Sequence, residues 1–200
     1  MGKTHIAVGI AMTYIITQPK TMQEFAIATV GGSIGGVMAD IDVKIDTSNK
    51  YAKKASLDAL YGEILAIAIS ICALVGNNYI GGNVLQRVKS HYFFSVIGAV
   101  LFIALTVIGK FSEHRDRTHS LLFCALFSFS VFMIETAIGL TFALGYGSHL
   151  LIDLFNKKPI RILYPLKKNI CFKLVYADGF GNELFLIVGI SIIILYIFLH

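Results

Sequence analysis

The sequence alternates between long apolar runs and short polar segments. A transmembrane helix needs about 20 apolar residues, each adding about 1.5 Å. Three runs approach that length and predict membrane-spanning helices, at residues 60–80, 92–109 and 184–199. Two shorter runs predict short or tilted helices, at residues 6–16 and 25–38. Polar loops are predicted between them, at residues 40–58, 81–91, 110–118 and 156–182. The pattern therefore predicts an all-α, polytopic membrane protein of about five to seven helices.

The longest apolar run, residues 120–145, is either one membrane span or a hairpin that turns back near Glu135. His119 and His149 flank this run, and one straight helix would place them about 45 Å apart, on opposite sides of the bilayer. In the hairpin, the loops on the side of these two histidines contain 14 of the 17 Lys and Arg residues, whereas a single span divides the cations 8 to 9. Because cytoplasmic loops are enriched in Lys and Arg, this distribution favours the hairpin, with its ends at the cytoplasmic face.

The composition agrees with a membrane protein and excludes two other classes. Hydrophobic residues make up 56% of the 200 residues, charged residues make up only 14%, and the mean hydropathy is +0.74. Since a soluble domain carries about 25% charged residues, neither a disordered chain nor a freely soluble globule fits. The formal net charge of +5 indicates basic loops that face anionic lipid, and we expect no nucleic-acid partner. The length predicts one membrane-embedded domain, residues 1–200.

The glycine-rich segment at residues 31–36 predicts a packing surface. It is not a phosphate-binding loop, because no Gly-Lys-Ser/Thr sequence follows it. Its small residues recur at a spacing of four, as in Gly31 and Gly35. That spacing is typical of helices that approach each other closely in lipid.

Residues that can bind metals lie at the ends of the apolar runs. They form four groups: His5, Asp40 with Asp42, His114 with His119, and His149 with Asp153. Imidazole and carboxylate groups are ligands for zinc, manganese and iron(II). On a helix, His149 and Asp153 share one face because they are four residues apart, as two ligands of one metal require. Each group alone is a weak signal, but the four together predict a metal site.

Together with their neighbours, these residues resemble the motifs of the YdjM-like family of membrane-bound metal-dependent hydrolases. The similarity covers nearly the whole chain in the expected order, and its most specific parts are H-R-x-x-T-H-S at 114–120 and S-H-x-x-x-D at 148–153. The other matching segments are His5, A-D-I-D at 39–42, L-Y-P at 163–165 and G-N-E at 181–183. The family is in turn similar to the helical zinc-dependent phospholipase C and single-strand nuclease superfamily, whose members bind metals through His and Asp and hydrolyse phosphodiesters.

The chain departs from the family pattern at four positions. Ala39 and Val43 stand where the family has a proline and a histidine, on either side of the D-I-D segment. Asp116 replaces a glycine after His-Arg, and Asn156 replaces a threonine. The missing histidine at position 43 removes one ligand, for which Asp46 or Asp116 is a candidate replacement.

The resemblance implies one or more divalent metal ions, zinc first, with manganese or iron as alternatives. The implied ligands are His5, Asp40, Asp42, His114, His119, His149 and Asp153. A carboxylate left unligated, with Asp42 as the first choice, would position the attacking water or take its proton as a base. Arg115 would bind the phosphate oxyanion. Glu183, in the G-N-E segment, is a further expected site residue. The implied substrate is a phosphodiester or a phospholipid-like molecule. The implied location is a bacterial or archaeal cytoplasmic membrane, where membrane lipids are the expected partners.

Two other functions use the same ligands. A divalent-metal transporter or sensor is one, although transport favours ligands near the bilayer midplane on broken helices. A non-catalytic membrane protein with a structural metal site is the other. A structural site and a catalytic site differ in whether one coordination position stays open to water, which a sequence does not record. The sequence leaves these alternatives and the oligomeric state open.

Overall fold

The computed structural model describes residues 2–176 and 179–199. Within these residues, the protein has eight α-helices and one 3-10 turn, Ala39–Asp42. The helices are α1 Gly2–Thr17, α2 Met22–Met38, α3 Lys50–Tyr79, α4 Val84–Ser90, α5 Tyr92–Lys110, α6 Leu121–Ile134, α7 Thr136–Phe155 and α8 Phe180–Leu199. The all-α prediction is confirmed, and the short helix α4, inside a predicted loop, accounts for the one helix beyond the expected number.

Helix α3 begins ten residues earlier than its apolar run, at Lys50. The Asn49 side chain accepts hydrogen bonds from the backbone N–H groups of Tyr51 and Ala52, at 3.0 and 2.9 Å. This N-cap satisfies two of the free donors of the first helical turn, so the helix extends into a polar sequence. The prediction of a loop at residues 40–58 is therefore wrong for residues 50–58, which are helical.

Among the described residues, five segments are long and apolar enough to cross a membrane: Met22–Asp42 and the helices α3, α5, α7 and α8. Helix α6 is shorter, with 14 residues. Helices α3, α5 and α8 carry many exposed large hydrophobic side chains, such as Ile67, Val100 and Ile194. Exposed apolar surface of this extent is typical of lipid-facing helices rather than of soluble proteins.

The run at residues 120–145 is a hairpin, as the charge distribution predicted. Helix α6 ends at Ile134, Glu135 has extended backbone (φ −154°), and α7 starts at Thr136. The Glu135 carboxylate accepts a hydrogen bond from the Ile138 N–H, at 2.8 Å, and lies 3.7 Å from the Arg87 guanidinium. Because the chain reverses here, the single-span alternative is excluded.

Helix α2 is the centre of the bundle and packs against α1, α3 and α7. Glycines bring the backbones together: a Cβ atom added at Gly32 would lie 2.9 Å from the carbonyl oxygen of Gly9 in α1. A Cβ atom added at Gly145 in α7 would lie 2.7 Å from the carbonyl oxygen of Gly32. These contacts confirm the packing role predicted for the glycine-rich segment.

The alternating helix directions bring four parts of the chain to one end of the bundle. They are the start of α1, the 3-10 turn with residues 43–49, the loop before α6, and the segment after α7. The rings of His5 and His149 stack 3.8 Å apart, and the Leu121 N–H donates to the Ile162 carbonyl oxygen at 3.0 Å. The contact between Arg87 and Glu135 marks the opposite end. All candidate metal ligands therefore lie at the same end.

Candidate metal centre

The structure brings all seven predicted ligands together. They are His5 from α1, Asp40 and Asp42 from the 3-10 turn, His114 and His119 from the loop before α6, and His149 and Asp153 from α7. They form three overlapping groups in which one ligand atom per residue lies within 4.8 Å of the others: His5/His149/Asp153, Asp40/His119/His149 and Asp42/His114/His119. All of these side chains except that of His114 are buried. Buried groups of this kind could hold a metal ion.

The most compact part consists of His119, His149, Asp40 and Asp153, which we call the four-ligand cluster. His119 Nε2 lies 3.3 Å from Asp153 Oδ2 and 3.6 Å from Asp40 Oδ1. His149 Nε2 lies 3.8 Å from Asp153 Oδ2 and 3.7 Å from Asp40 Oδ1. Each imidazole nitrogen therefore faces the same two carboxylate oxygens.

The hydrogen bond at the other ring nitrogen sets the tautomer of His149. Its Nδ1 lies 2.7 Å from the backbone carbonyl oxygen of Gly36. Because a carbonyl oxygen only accepts, Nδ1 carries the proton and donates it. In the neutral ring, Nε2 then has the free lone pair that a metal ligand requires.

Thr118 sets the tautomer of His119 in the same way. The Thr118 hydroxyl donates its only proton to Asp42 Oδ2, at 2.6 Å. Toward His119 Nδ1, 3.1 Å away, the hydroxyl oxygen must therefore accept, so Nδ1 donates. In the neutral ring, the lone pair again falls on Nε2, which faces the cluster.

The four-ligand cluster fits a cation. When both rings are neutral, two imidazole lone pairs and two carboxylate oxygens converge, and within the described residues neither Nε2 atom has a hydrogen-bond partner. Binding of a metal ion would displace any proton from these nitrogens. Burial by itself lowers the pKa of His119, but the carboxylates of Asp153, Asp40 and Asp42 outweigh burial and raise this pKa well above its ordinary value. The cluster therefore has an excess of negative charge and of acceptors, which a bound cation would neutralise.

The spacing of the four atoms also fits a known coordination geometry. Zinc binds histidine nitrogen and carboxylate oxygen at about 2.0–2.2 Å, so two ligand atoms of a tetrahedral site lie about 3.3–3.6 Å apart. The four measured nitrogen-to-oxygen distances run from 3.3 to 3.8 Å. Small movements of the side chains would bring all four atoms to that separation.

Asp42 lies behind His119 rather than in the four-ligand cluster. Its Oδ2 accepts from the Thr118 hydroxyl and, at 3.1 Å, from the Arg115 N–H, and it lies 3.4 Å from His119 Nδ1. Its Oδ1 lies 2.7 Å from Nδ1 of the half-exposed His114. A carboxylate bonded to the non-ligating nitrogen of a histidine orients that ring, which is a common arrangement behind metal sites.

A cavity of about 860 Å³ opens next to the cluster. Its walls include His5, Asp40, Asp153, the segment at residues 43–48 and the first turns of α3. Arg115 also lines it: one guanidinium nitrogen lies 3.6 Å from Asp153 Oδ2 and another donates to the Lys158 carbonyl oxygen at 2.7 Å. Its φ of 69° is uncommon for a residue other than glycine, and such conformations concentrate at functional sites.

Comparison with known proteins agrees with this arrangement of apolar helices. The YdjM inner membrane protein family matches residues 1–200. The chain belongs to that family. It is 28% identical over 106 residues to a protein of Bacillus subtilis (strain 168) described as "Uncharacterized protein YvsG". That match covers 52% of this chain and 66% of the relative, which is just under two thirds of its length. No solved structure matches the chain. Family membership and the five apolar segments identify an integral membrane protein.

Three residues considered from the sequence lie outside the ligand groups of this YdjM-family protein. Glu183 lines a separate cavity of about 360 Å³ with Lys3 and Asp58. Asp116, considered as a replacement ligand, pairs with Arg161, and the Asp46 carboxylate accepts from the Ser48 N–H at 2.8 Å. The structure therefore does not bring these three residues to the four-ligand cluster.

The sequence did not reveal two positions that support the candidate metal centre of this YdjM-family protein. Thr118 was visible within the H-R-x-x-T-H-S motif, but nothing in the motif assigned its hydroxyl to Asp42 and His119. Gly36 supplies a backbone carbonyl oxygen, and a backbone group leaves no signal in the residue types. The spacing of the glycines predicted packing only.

Proposed function

We propose that this protein is a membrane-embedded, metal-dependent hydrolase that cleaves a phosphodiester or a phospholipid-like substrate. The observation that carries the proposal is the four-ligand cluster, in which two imidazole lone pairs and two carboxylates converge beside an open cavity. A structural zinc site is usually closed by four protein ligands, whereas a hydrolytic site uses three and keeps a position for water. An ion held by all four cluster residues would therefore bind water at a fifth position, and Asp40 and Asp153 line the cavity from which that water would come. The cavity favours the second arrangement.

Zinc is the first choice for the metal. A tetrahedral zinc site requires ligand separations of about 3.3–3.6 Å, whereas neighbouring ligands of an octahedral ion at about 2.1 Å lie about 3.0 Å apart. The histidine nitrogens and carboxylate oxygens, 3.3–3.8 Å apart, are compatible with the tetrahedral value, so zinc is the first ion to test. Manganese and iron remain alternatives because both bind histidine and carboxylate.

The cluster residues His119, His149, Asp40 and Asp153 would hold the ion, with the stacked His5 close enough to contribute. When bound, such an ion acts as a Lewis acid that lowers the pKa of water and polarises a phosphoryl oxygen. We assign Asp42 an orienting role in place of the predicted role as base, because its oxygens are already bonded to Thr118, His114 and the Arg115 N–H.

His114 is the group best placed to move a proton. It is half-exposed, lines the cavity and is fixed through Nδ1 to Asp42, which leaves Nε2 on the other side of the ring. We propose that His114, in its imidazolium form, donates the Nε2 proton to the leaving oxygen as the bond from phosphorus to that oxygen breaks. The water whose oxygen forms the new bond to phosphorus would give a proton back to the neutral ring, so that the imidazolium is restored. Arg115, which lines the same cavity, would bind the phosphate oxygens through charge-assisted hydrogen bonds.

The walls of the cavity favour an amphiphilic substrate. Ala52, Ala55 and Ala59 of α3 give the cavity apolar lining, and Arg115 and Lys158 add cationic groups from other segments. A lipid-like molecule offers an apolar part to the alanines and a phosphate to the two cations. We place the cavity at the cytoplasmic face because 14 of the 17 Lys and Arg residues lie at this end of the bundle.

The transporter alternative fits less well. A transport site favours ligands near the bilayer midplane with access from both faces. Here the ligands lie at one end of the bundle, and below them α2 packs backbone to backbone against α1 and α7, as at Gly32 and Gly145. This packing leaves little space for an ion to continue toward the opposite face.

Metal analysis and hydrolysis assays on the same detergent-purified protein test the proposal. We expect about one zinc ion per chain in the wild type and loss of the metal in His149→Ala and Asp153→Ala. The control His91→Ala, whose exposed histidine lies at the opposite end, should retain the metal.

Metal-loaded wild type should hydrolyse a chromogenic phosphodiester or a phospholipid, and Arg115→Lys should keep its metal but lose activity. Wild type that binds no metal after reconstitution would disprove the proposal. A metal that both alanine variants retain, or a loaded protein inactive on both substrates, would also disprove it.

A further inference from the structure

The segment at residues 156–176, which we call the basic lobe, has an unusual charge pattern. Between Asp153 and Asp178 the chain has six cationic residues and no acidic residue. They are Lys157, Lys158, Arg161, Lys167, Lys168 and Lys173. In the part of the chain that the structure describes, none of the ion pairs involves Lys167, Lys168 or Lys173, which are all exposed.

The basic lobe is an ordered structure that is tied to the rest of the protein. Ile160 and Ile170 exchange two backbone hydrogen bonds, at 3.0 and 2.9 Å. The Phe172 N–H donates to the carbonyl oxygen of Leu154 at the end of α7, at 2.7 Å. Arg161 pairs with Asp116, next to the cavity residue Arg115. These contacts therefore hold the backbone of the lobe against the end of the bundle.

The lobe has two separate sets of apolar side chains. Ile160 is fully buried in the core, where Ile162 and Ile170 also pack. A second set points outward: Leu166 is 62% exposed, Leu174 is 67% exposed and Tyr176 is 66% exposed. Phe172, 56% exposed, belongs to the same set. Lys157 Nζ lies 3.7 Å from the centre of the Tyr176 ring, but most of the apolar surface of this set stays uncovered by the described residues.

We infer that the basic lobe binds anionic phospholipids of the surrounding bilayer, beside the mouth of the cavity. Cations next to exposed leucine, phenylalanine and tyrosine side chains are typical of segments that lie in the headgroup layer. The lobe joins the end of α7 to α8, so it lies where two membrane-spanning helices leave the bilayer. An acidic soluble partner would match the lysines but would not account for the outward apolar set at that depth. This inference does not depend on hydrolysis at the metal centre.

Tryptophan fluorescence tests whether the lobe touches lipid. Because the chain has no tryptophan, Leu166→Trp or Leu174→Trp introduces a single fluorophore. In vesicles with brominated acyl chains, we expect quenching of both variants to rise about twofold when phosphatidylcholine is partly replaced by phosphatidylglycerol. The control Phe198→Trp, on the opposite end of the lipid-facing helix α8, should be quenched equally in both lipids. Lobe fluorescence that neither lipid quenches would overturn the inference and favour a soluble partner.

Lipid retention tests the role of the cations. Native mass spectrometry of the full-length protein should show phosphatidylglycerol bound in preference to phosphatidylcholine. We expect the triple variant Lys167→Gln/Lys168→Gln/Lys173→Gln to retain at least about fivefold less phosphatidylglycerol, and high salt to weaken retention by the wild type. The matched control Lys50→Gln/Lys53→Gln/Lys54→Gln removes three exposed cations from α3 and should stay within about twofold of the wild type. Equal losses in the two variants, or no preference in the wild type, would disprove a specific role of the lobe.

Discussion

His149 donates a hydrogen bond from Nδ1 to the carbonyl oxygen of Gly36, 2.7 Å away. The same glycine meets His5 on another side, because a Cβ atom added at Gly36 would lie 2.5 Å from the carbonyl oxygen of His5. One residue of α2 therefore fixes the ring of one candidate ligand and the backbone of another. The contacts of Gly36 with His5 and His149 therefore set the position of α1 relative to α7.

Gly36→Ala should disturb both the packing and the metal centre. The added methyl group meets backbone atoms, which cannot move aside as a flexible side chain can, so we expect a loss of about 1–3 kcal/mol in the free energy of unfolding. Metal affinity should fall as His5 and α1 move.

Gly147→Ala in α7 is the matched control, because no atom lies within 4 Å of its added Cβ. The control should be neutral or more stable by up to about 1 kcal/mol. Denaturation in detergent and metal titration measure both effects, and equal behaviour of the two variants would contradict the role of Gly36.

Thr118→Val should weaken metal binding without changing a ligand. Valine has nearly the same shape but lacks the hydroxyl that donates to Asp42 and accepts from His119. Loss of such an orienting bond typically lowers metal affinity about 10–100-fold. Thr118→Ser keeps the hydroxyl and should stay close to the wild type. Competition with a chelator measures the affinities, and a Thr118→Val protein with wild-type affinity would show that this bond does not orient His119.

Glu135→Ala should destabilise the hairpin tip and leave the metal centre intact. The carboxylate caps α7 through the Ile138 N–H and faces Arg87. Loss of an N-cap costs about 1 kcal/mol of stability. Glu135→Asp retains a capping carboxylate and should recover most of the loss. The free energy of unfolding measures the change, while unchanged metal content would show that the site at the other end is not affected. A protein of wild-type stability would argue against the cap.

Cysteine labelling should place both sides of the cavity on one membrane face. In a background without the three native cysteines, Val43→Cys and Lys157→Cys are expected to react with an impermeant reagent from the same side. Asn83→Cys, beside α4 at the opposite end, should react from the other side. Labelling of positions 43 and 157 only from inside the cell would support the cytoplasmic orientation. Labelling of these two positions from different sides would be incompatible with a shared metal centre.

The sequence contained enough information for the helices and for the convergence of the ligands. Length and hydropathy located three of the five candidate spans, those in α3, α5 and α8. The distribution of Lys and Arg distinguished a hairpin at Glu135 from a single span. Once the chain turns there, His119 and His149 must return to the same end, and their ring centroids lie 5.2 Å apart. Covalent order and helix length therefore determined this part of the site.

Other parts depend on tertiary contacts that the residue types do not record. Asp42 and Asp40 have the same side chain and lie two residues apart, yet one faces the Nδ1 side of His119 and the other faces its Nε2 side. The G-N-E segment suggested a site residue at Glu183, but the start of α8 places this side chain in a separate cavity. The start of α3 depended on the local cap at Asn49, which hydropathy ignores.

The glycine contacts between α1, α2 and α7 have a consequence for access to the metal centre. Helices that meet through their backbones have no intervening layer of side chains that could change rotamers, so these three form a rigid frame. Motion that admits or releases a molecule must then come from parts of the wall outside the frame. The segment at residues 43–49 and the first turns of α3 are those parts, because they line the cavity and lie outside the glycine contacts. We therefore expect the cavity to exchange its contents sideways along the membrane surface rather than through the interior of the bundle.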